Sequence, residues 1–184
     1  HTFSKEQPDF NWENEKLREE IYKMINFWLD LGIGGFRIDA ITFIKKELSF
    51  RSLPPDRKDG LVGLRTVGIN YPGIEVFLKE MRRKTFDRYN AFSVAEMSGI
   101  NPNDICNYIG EEGFYDSIFD FSYMNLDLGG STLWYKHRRF NAKEVNQAMF
   151  VSHRKAQDIN AFLAVVLENH DQPRVLNKWF QEKD

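Results

Sequence analysis

The sequence has a single cysteine, Cys106, among 184 residues. One thiol cannot close an internal disulfide, and it excludes a cysteine metal cluster. This usage fits a reducing compartment. No apolar stretch reaches the roughly 18 residues a membrane-spanning helix calls for. An excess of one charge is also missing, because 25 basic and 27 acidic residues are interspersed for a net charge of −2. The chain therefore shows no nucleic-acid footprint. Its opening, His1-Thr2-Phe3-Ser4-Lys5, does not read as a signal peptide. No internal repeat or low-complexity tract stands out. No glycine-rich phosphate loop follows a predicted strand, which counts against a dinucleotide-binding fold.

What remains is ordinary for a globular domain with a real core, at 42% hydrophobic and 28% charged. Residues 1–13 read as loop. Asn14 caps a predicted helix whose apolar residues Leu17, Ile21, Met24, Ile25, Trp28 and Leu31 form one stripe, and Gly32 ends it. A strand is predicted over Gly35–Asp39. A long loop follows, about 42–72, with Pro54-Pro55 and Gly60 as breakers. The pattern then predicts a helix over Ile74–Tyr89, a strand over Ala91–Ala95 and a short helix opened by Asn101-Pro102. After these come a strand over Ser117–Phe121 and a helix capped by Asn141. The continuous apolar run Ala161–Leu167 reads as a fully buried parallel strand. Alternating strands and helices argue for an α/β fold with parallel strands. Polar signals recur at the carboxyl ends of different strands, so the chain is expected to form part of a (β/α)8 TIM barrel.

Three acidic residues close predicted strands. Asp39 ends Gly35-Phe36-Arg37-Ile38, and alternation puts Arg37 on its face. By itself that pair reads equally as a structural ion pair beneath a loop. Glu96 follows Ser93-Val94-Ala95, and a carboxylic acid confined near another carboxylate can hold a proton and donate it. It reads equally as an acidic residue at a helix start. His170 and Asp171 follow the most apolar strand, where they should face a site from a rim. The three acids are 57 and 75 residues apart, so only a folded sheet or barrel can bring them together.

In this order, the stretches Gln7-Pro8-Asp9-Phe10-Asn11-Trp12, Gly35-Phe36-Arg37-Ile38-Asp39, Val94-Ala95-Glu96 and Glu168-Asn169-His170-Asp171-Gln172-Pro173-Arg174 resemble the alpha-amylase superfamily, glycoside hydrolase family 13. The nearest branch holds oligo-1,6-glucosidases, alpha-glucosidases, dextran glucosidases and sucrose isomerases. The resemblance implies a retaining enzyme that cleaves short alpha-linked glucosides or oligosaccharides by double displacement. It makes Asp39 the nucleophile, Glu96 the general acid/base and Asp171 the carboxylate that grips the ring hydroxyls. Arg37 would orient Asp39 and His170 would touch the sugar. Gln7 and Arg174 fall on the pocket wall or the aglycone side. No cofactor, metal, nucleic-acid or membrane partner is implied, and a cytoplasmic location fits this branch.

The sequence departs from the pattern at Ala95, where the family commonly has glycine, and at Phe10, where it commonly has leucine. Ala40 after the nucleophile resembles enzymes that prefer alpha-1,4 links, whereas valine there resembles those that prefer alpha-1,6. Within the resemblance, residues 1–13 are the tail of an inserted loop domain and residues 14–184 a partial barrel, about strands four to seven. Such a fragment is expected to be inactive alone and to invite self-association through bare strand edges. A glucosyl-transferring or sucrose-isomerising enzyme would share the same acids. A non-catalytic interaction relative would tend to have lost them.

Overall fold

Helix formation begins where the sequence places a cap. In the computed structural model the Asn14 side chain accepts hydrogen bonds from the Lys16 and Leu17 N–H groups, opening α1 at Glu15–Asp30. Gly32 follows with φ +91°, a left-handed conformation that suits glycine, and its N–H returns to the Leu29 carbonyl at 2.9 Å. The structure describes residues 1–49, 51–63, 66, 68–98, 100–129 and 137–180. They fall into two units, His1–Gly99 and Ile100–Asp184.

In the first unit, β1 (Gly35–Ile38) pairs in parallel with β2 (Phe92–Ala95). Between them lie α2 (Ile74–Lys84) and the single turn α3 (Phe86–Tyr89). Ile74, Phe77, Leu78 and Met81 form the buried face of α2, as the sequence spacing predicts for the last three. Full burial of such a side chain stabilises by about 1.5–3 kcal/mol. Trp12 packs beside Phe77, with ring centroids 6.1 Å apart. Polar contacts then join α1 to α2. Arg18 Nε donates to Glu80 at 2.6 Å, the Tyr22 hydroxyl donates to the same carboxylate at 3.1 Å, and Asn26 reaches the Lys84 carbonyl at 3.1 Å. Burial, followed by the Glu80 charge, pushes the Tyr22 hydroxyl well up from its ordinary value.

The second unit repeats the parallel pairing. Its strands β3 (Ser117–Asp120) and β4 (Ala164–Val165) align Phe119 with Ala164 and Asp120 with Val165. The helix α4 (Ala142–Asp158) lies between them in the chain, and α5 (Val175–Trp179) follows β4. Asn141 and Glu144 cap α4 reciprocally, each side chain taking the other's N–H at 3.1 and 3.0 Å. Ser117 Oγ donates to the Phe162 carbonyl at 3.0 Å, and the fully buried Tyr123 hydroxyl accepts from Val166 N–H at 2.9 Å. Two parallel strand pairs with flanking helices make an α/β fold consistent with part of a (β/α)8 barrel. Among the described residues no helix is long and apolar enough to cross a membrane.

Three expectations need correction. The helix expected over Ile74–Tyr89 breaks at Thr85, whose backbone leaves the helical region at φ −126°, ψ −85°. Its buried hydroxyl donates to the Met81 carbonyl at 2.6 Å and so competes with the helical ladder. The short helix expected at Asn101-Pro102 is present as a 3-10 helix, Pro102–Asn107, and the Asn101 side chain caps it by accepting from the Asn103 N–H at 2.9 Å. On α1 the buried residues are Tyr22, Ile25 and Leu29, while Met24, Trp28 and Leu31 are exposed. The inward face is thus rotated from the predicted stripe, because tyrosine can bury its ring and keep a partner for its hydroxyl. The run Ala161–Leu167 pairs for only two residues, and Phe162, Val165 and Leu167 are exposed. It hydrogen-bonds along the β3 edge, so burial on every side is not achieved among the described residues.

One backbone approach admits no side chain. A Cβ on Gly35 would stand 2.0 Å from the Phe92 carbonyl oxygen in the facing strand. Gly35→Ala is therefore expected to lower stability by about 1–3 kcal/mol. Asn141→Ala should cost about 1 kcal/mol through the lost α4 cap. Urea unfolding of the two variants checks both, and an unchanged midpoint for either contradicts its assignment.

Candidate active site

The parallel register carries two carboxylates to one level. Ile38 faces Ala95, and beyond the last paired residues the Glu96 N–H donates to the Ile38 carbonyl at 2.8 Å. Asp39 and Glu96 are the next residues of their strands. Arg37, one strand period before Asp39, points to the same side and bridges both. Its Nη1 lies 2.8 Å from Asp39 Oδ1 and its Nη2 2.8 Å from Glu96 Oε2. The expected pairing of Arg37 with Asp39 is present, and the guanidinium fork also takes Glu96. A planar fork suits this role because its donors diverge at fixed angles.

The two carboxylates differ in environment. The Glu96 side chain is 15% exposed and that of Asp39 is 67% exposed. Burial pushes the Glu96 carboxyl up from its ordinary value, and a hydrogen bond with Asp39 pushes it further. The Arg37 charge opposes this, the Asp39 charge adds to the rise, and the Ala40 N–H lowers it slightly. Glu96 is thus the carboxyl that favours holding a proton beside a more open neighbour. Ala40 supports this geometry at a cost. It is a non-glycine residue in the left-handed region, φ 45° and ψ 32°, and it turns the chain directly after Asp39.

The other predicted residues have different surroundings. Gln7 sits in an exposed turn of the first unit, its N–H on the Ser4 carbonyl at 2.9 Å. His170, Asp171 and Arg174 belong to the second unit, after β4. The Asn169 side chain accepts from the Asp171 N–H at 2.9 Å, and His170 Nε2 lies 3.4 Å from Asp171 Oδ2. Both side chains are exposed, at 71% and 62%. Arg174 pairs with Glu168 at 2.8 Å, and the Val175 N–H donates to the same carboxylate. Those two partners, the Val175 N–H first, hold Glu168 below its ordinary value.

Two further polar clusters lie outside the residues that the sequence motifs single out. Asp120 ends β3, buried, with its carboxylate 3.3 Å from His153. The strand-end pattern that singles out Asp39 and Glu96 applies to Asp120 equally. The second cluster gathers Asp127, His137, Gln172 and Lys178, and no local pattern marks it. Among the described residues no group of three or more His, Cys, Asp or Glu side chains is placed to hold a metal ion.

The alpha-amylase catalytic-domain family matches residues 1–184. The probable oligo-1,6-glucosidase 3 of Bacillus subtilis (strain 168) is 37% identical over 97% of this chain and 31% of its own length. The trehalose-6-phosphate hydrolase of Bacillus licheniformis superposes with a TM-score of 0.81 at 30% identity, over 98% of this chain and 31% of that one. A trehalulose synthase variant superposes with a TM-score of 0.80 at 31% identity, over 97% of this chain and 31% of that one. The chain spans about a third of the length of the curated relatives it matches.

The raised Glu96 value fixes the sign of a pH effect. Between the ordinary 4.5 and the raised value, the folded chain binds more protons than the unfolded one. The contribution to stability is therefore full below the ordinary value and is lost as pH rises through the folded value. Glu96→Gln cannot titrate. The melting temperature of the native chain minus that of the variant should fall with rising pH across this window and then level off. A flat or rising difference contradicts the assignment.

Proposed function

The chain belongs to the alpha-amylase catalytic-domain family, in its oligo-1,6-glucosidase and alpha-glucosidase branch, and on that premise we propose that the protein carrying it is a retaining glycosidase acting on alpha-glucosides. The observation that carries this reading is the Arg37 bridge between an open Asp39 and a shielded Glu96 whose carboxyl is pushed up by burial.

Retaining chemistry needs two carboxyl groups in opposite states. Asp39, exposed and paired with a cation, attacks the anomeric carbon and forms a glycosyl ester. Glu96 gives its proton to the departing glycosidic oxygen in the same step. The proton's departure leaves Glu96 as a base. It then takes a proton from water, whose oxygen attacks the anomeric carbon and breaks the ester. Two inversions retain the configuration. Arg37 keeps both carboxyl groups in reach and restrains Asp39 as its charge changes. In this reading Asp171 grips the ring hydroxyls, His170 touches the same sugar, and Gln7 and Arg174 border the pocket or the aglycone side. The 184-residue chain alone is expected to be inactive, since it corresponds to about a third of each relative.

Transfer or isomerisation is a second reading, supported by the likeness to a trehalulose synthase. It uses the same ester and differs only in whether water or a sugar hydroxyl attacks. The linkage is contested by two observations. The name of the Bacillus subtilis relative points to alpha-1,6 links, and Ala40 points to alpha-1,4. The acids themselves argue against a non-catalytic role, since Asp39, Glu96 and Asp171 are all present.

The test uses the full-length protein with maltose, isomaltose and sucrose. Proton NMR should show the alpha anomer as the first product, and Asp39→Asn should lower kcat by on the order of 10^4-fold or more. A beta first product, or turnover that survives the substitution, sinks the proposal. The isomaltose-to-maltose rate ratio decides the linkage, and the share of new disaccharide from sucrose decides between water and sugar as acceptor.

A further inference from the structure

Lysine is seldom buried unless paired, yet Lys178 on α5 is 6% exposed. An ammonium has three protons to donate, and here three oxygens receive them. They are the Met124 carbonyl, Gln172 Oε1 at 2.9 Å and Asn125 Oδ1 at 3.3 Å. Asp127 Oδ1 stands 3.8 Å away as counter-charge. Asp127 is itself 1% exposed, and its other oxygen lies 2.6 Å from His137 Nδ1. Burial pushes the Lys178 ammonium down from its ordinary value, and the Asp127 charge opposes the shift.

The partners come from two parts of the chain. Met124, Asn125 and Asp127 follow β3. Gln172 lies in the loop between β4 and α5, immediately after Asp171. The Asn169 turn around Asp171 and the Glu168 contacts to Arg174 and Val175 all close within residues 168–175. The Gln172–Lys178–Met124 connection ties that loop to a different strand end.

We propose that Lys178 is a positioning residue, which sets the His170–Asp171 loop by tying Gln172 to the segment after β3. The proposal rests on the reading of Asp171 as the carboxylate that grips ring hydroxyls. Misplacing a substrate-positioning group by about 1 Å can cost up to roughly 100-fold in rate. A buried four-way junction one residue from Asp171 is placed to prevent that.

The experiment compares Lys178→Met and Lys178→Arg in the full-length protein. Amide hydrogen exchange in peptides covering 168–174 should rise at least about tenfold in Lys178→Met, with β1 peptides unchanged. On an aryl alpha-glucoside, kcat/KM should fall about 10- to 100-fold. Lys178→Arg, which keeps the charge and the donors, should recover most of the loss. On the matching 2-deoxy and 3-deoxy glucosides the Lys178→Met penalty should shrink for at least one, because a hydroxyl that Asp171 grips is gone. A merely structural loss would lower all three substrates alike. Unchanged exchange, a kcat/KM within twofold of the native protein, or an equal penalty on all three substrates overturns the proposal. If Lys178→Met does not fold, Gln172→Leu removes the loop-side acceptor and is read by the same measurements. If the native protein turns over no alpha-glucoside, the glycosidase reading falls. The exchange measurement then still decides whether Lys178 holds the loop.

Discussion

The register between β1 and β2 is the constraint on which the carboxylate pair depends. Parallel pairing aligns Ile38 with Ala95, and the next backbone bond, Glu96 N–H to Ile38 carbonyl, sets two acidic residues side by side. A slip of one residue would send one of the side chains to the opposite face. Gly35 helps secure this register, because a side chain there would collide with the Phe92 carbonyl. A glycine four positions ahead of Asp39 thereby affects the placement of a carboxylate pair it never touches.

Given that register, the charges arrange themselves around one guanidinium. Arg37 reaches both carboxylates because it shares a face with Asp39 and because Glu96 ends the neighbouring strand. The remaining asymmetry comes from exposure. One carboxyl is mostly shielded and the other mostly open, and the shielding pushes Glu96 up from its ordinary value. The strand register and the placement of the two carboxylates rest on the same backbone contacts.

What the sequence made legible follows the range of the interaction involved. Asn14, Gly32 and Asn141 act within one turn, and each does what its position suggests. The strand ends at Asp39 and Glu96 were also readable, since strand period and chain order are local patterns. The Thr85 break was hidden because its apolar spacing continues smoothly through Phe86, while the hydroxyl bond that ends α2 leaves no periodic mark. Trp28 and Tyr22 show the limit of periodicity on α1. Hydrophobicity alone favours tryptophan inward, yet Tyr22 is the buried aromatic and its hydroxyl has a partner in Glu80. Lys178 and Asp127 lie 51 residues apart in sequence, and nothing in either neighbourhood announces their meeting.

Ala40 combines two properties that are usually separate. Its backbone occupies a region that most side chains disfavour, and its N–H helps set the proton affinity of Glu96. In the family resemblance, the same position separates linkage preferences through alanine or valine. A branched side chain fits the left-handed region less well than a methyl group does. An exchange there would press on the backbone as well as on the pocket. Under the proposed roles of Asp39 and Glu96, a change at this position would alter the backbone N–H that reaches Glu96 together with the space beside Asp39, so the two effects would be inherited as one trait.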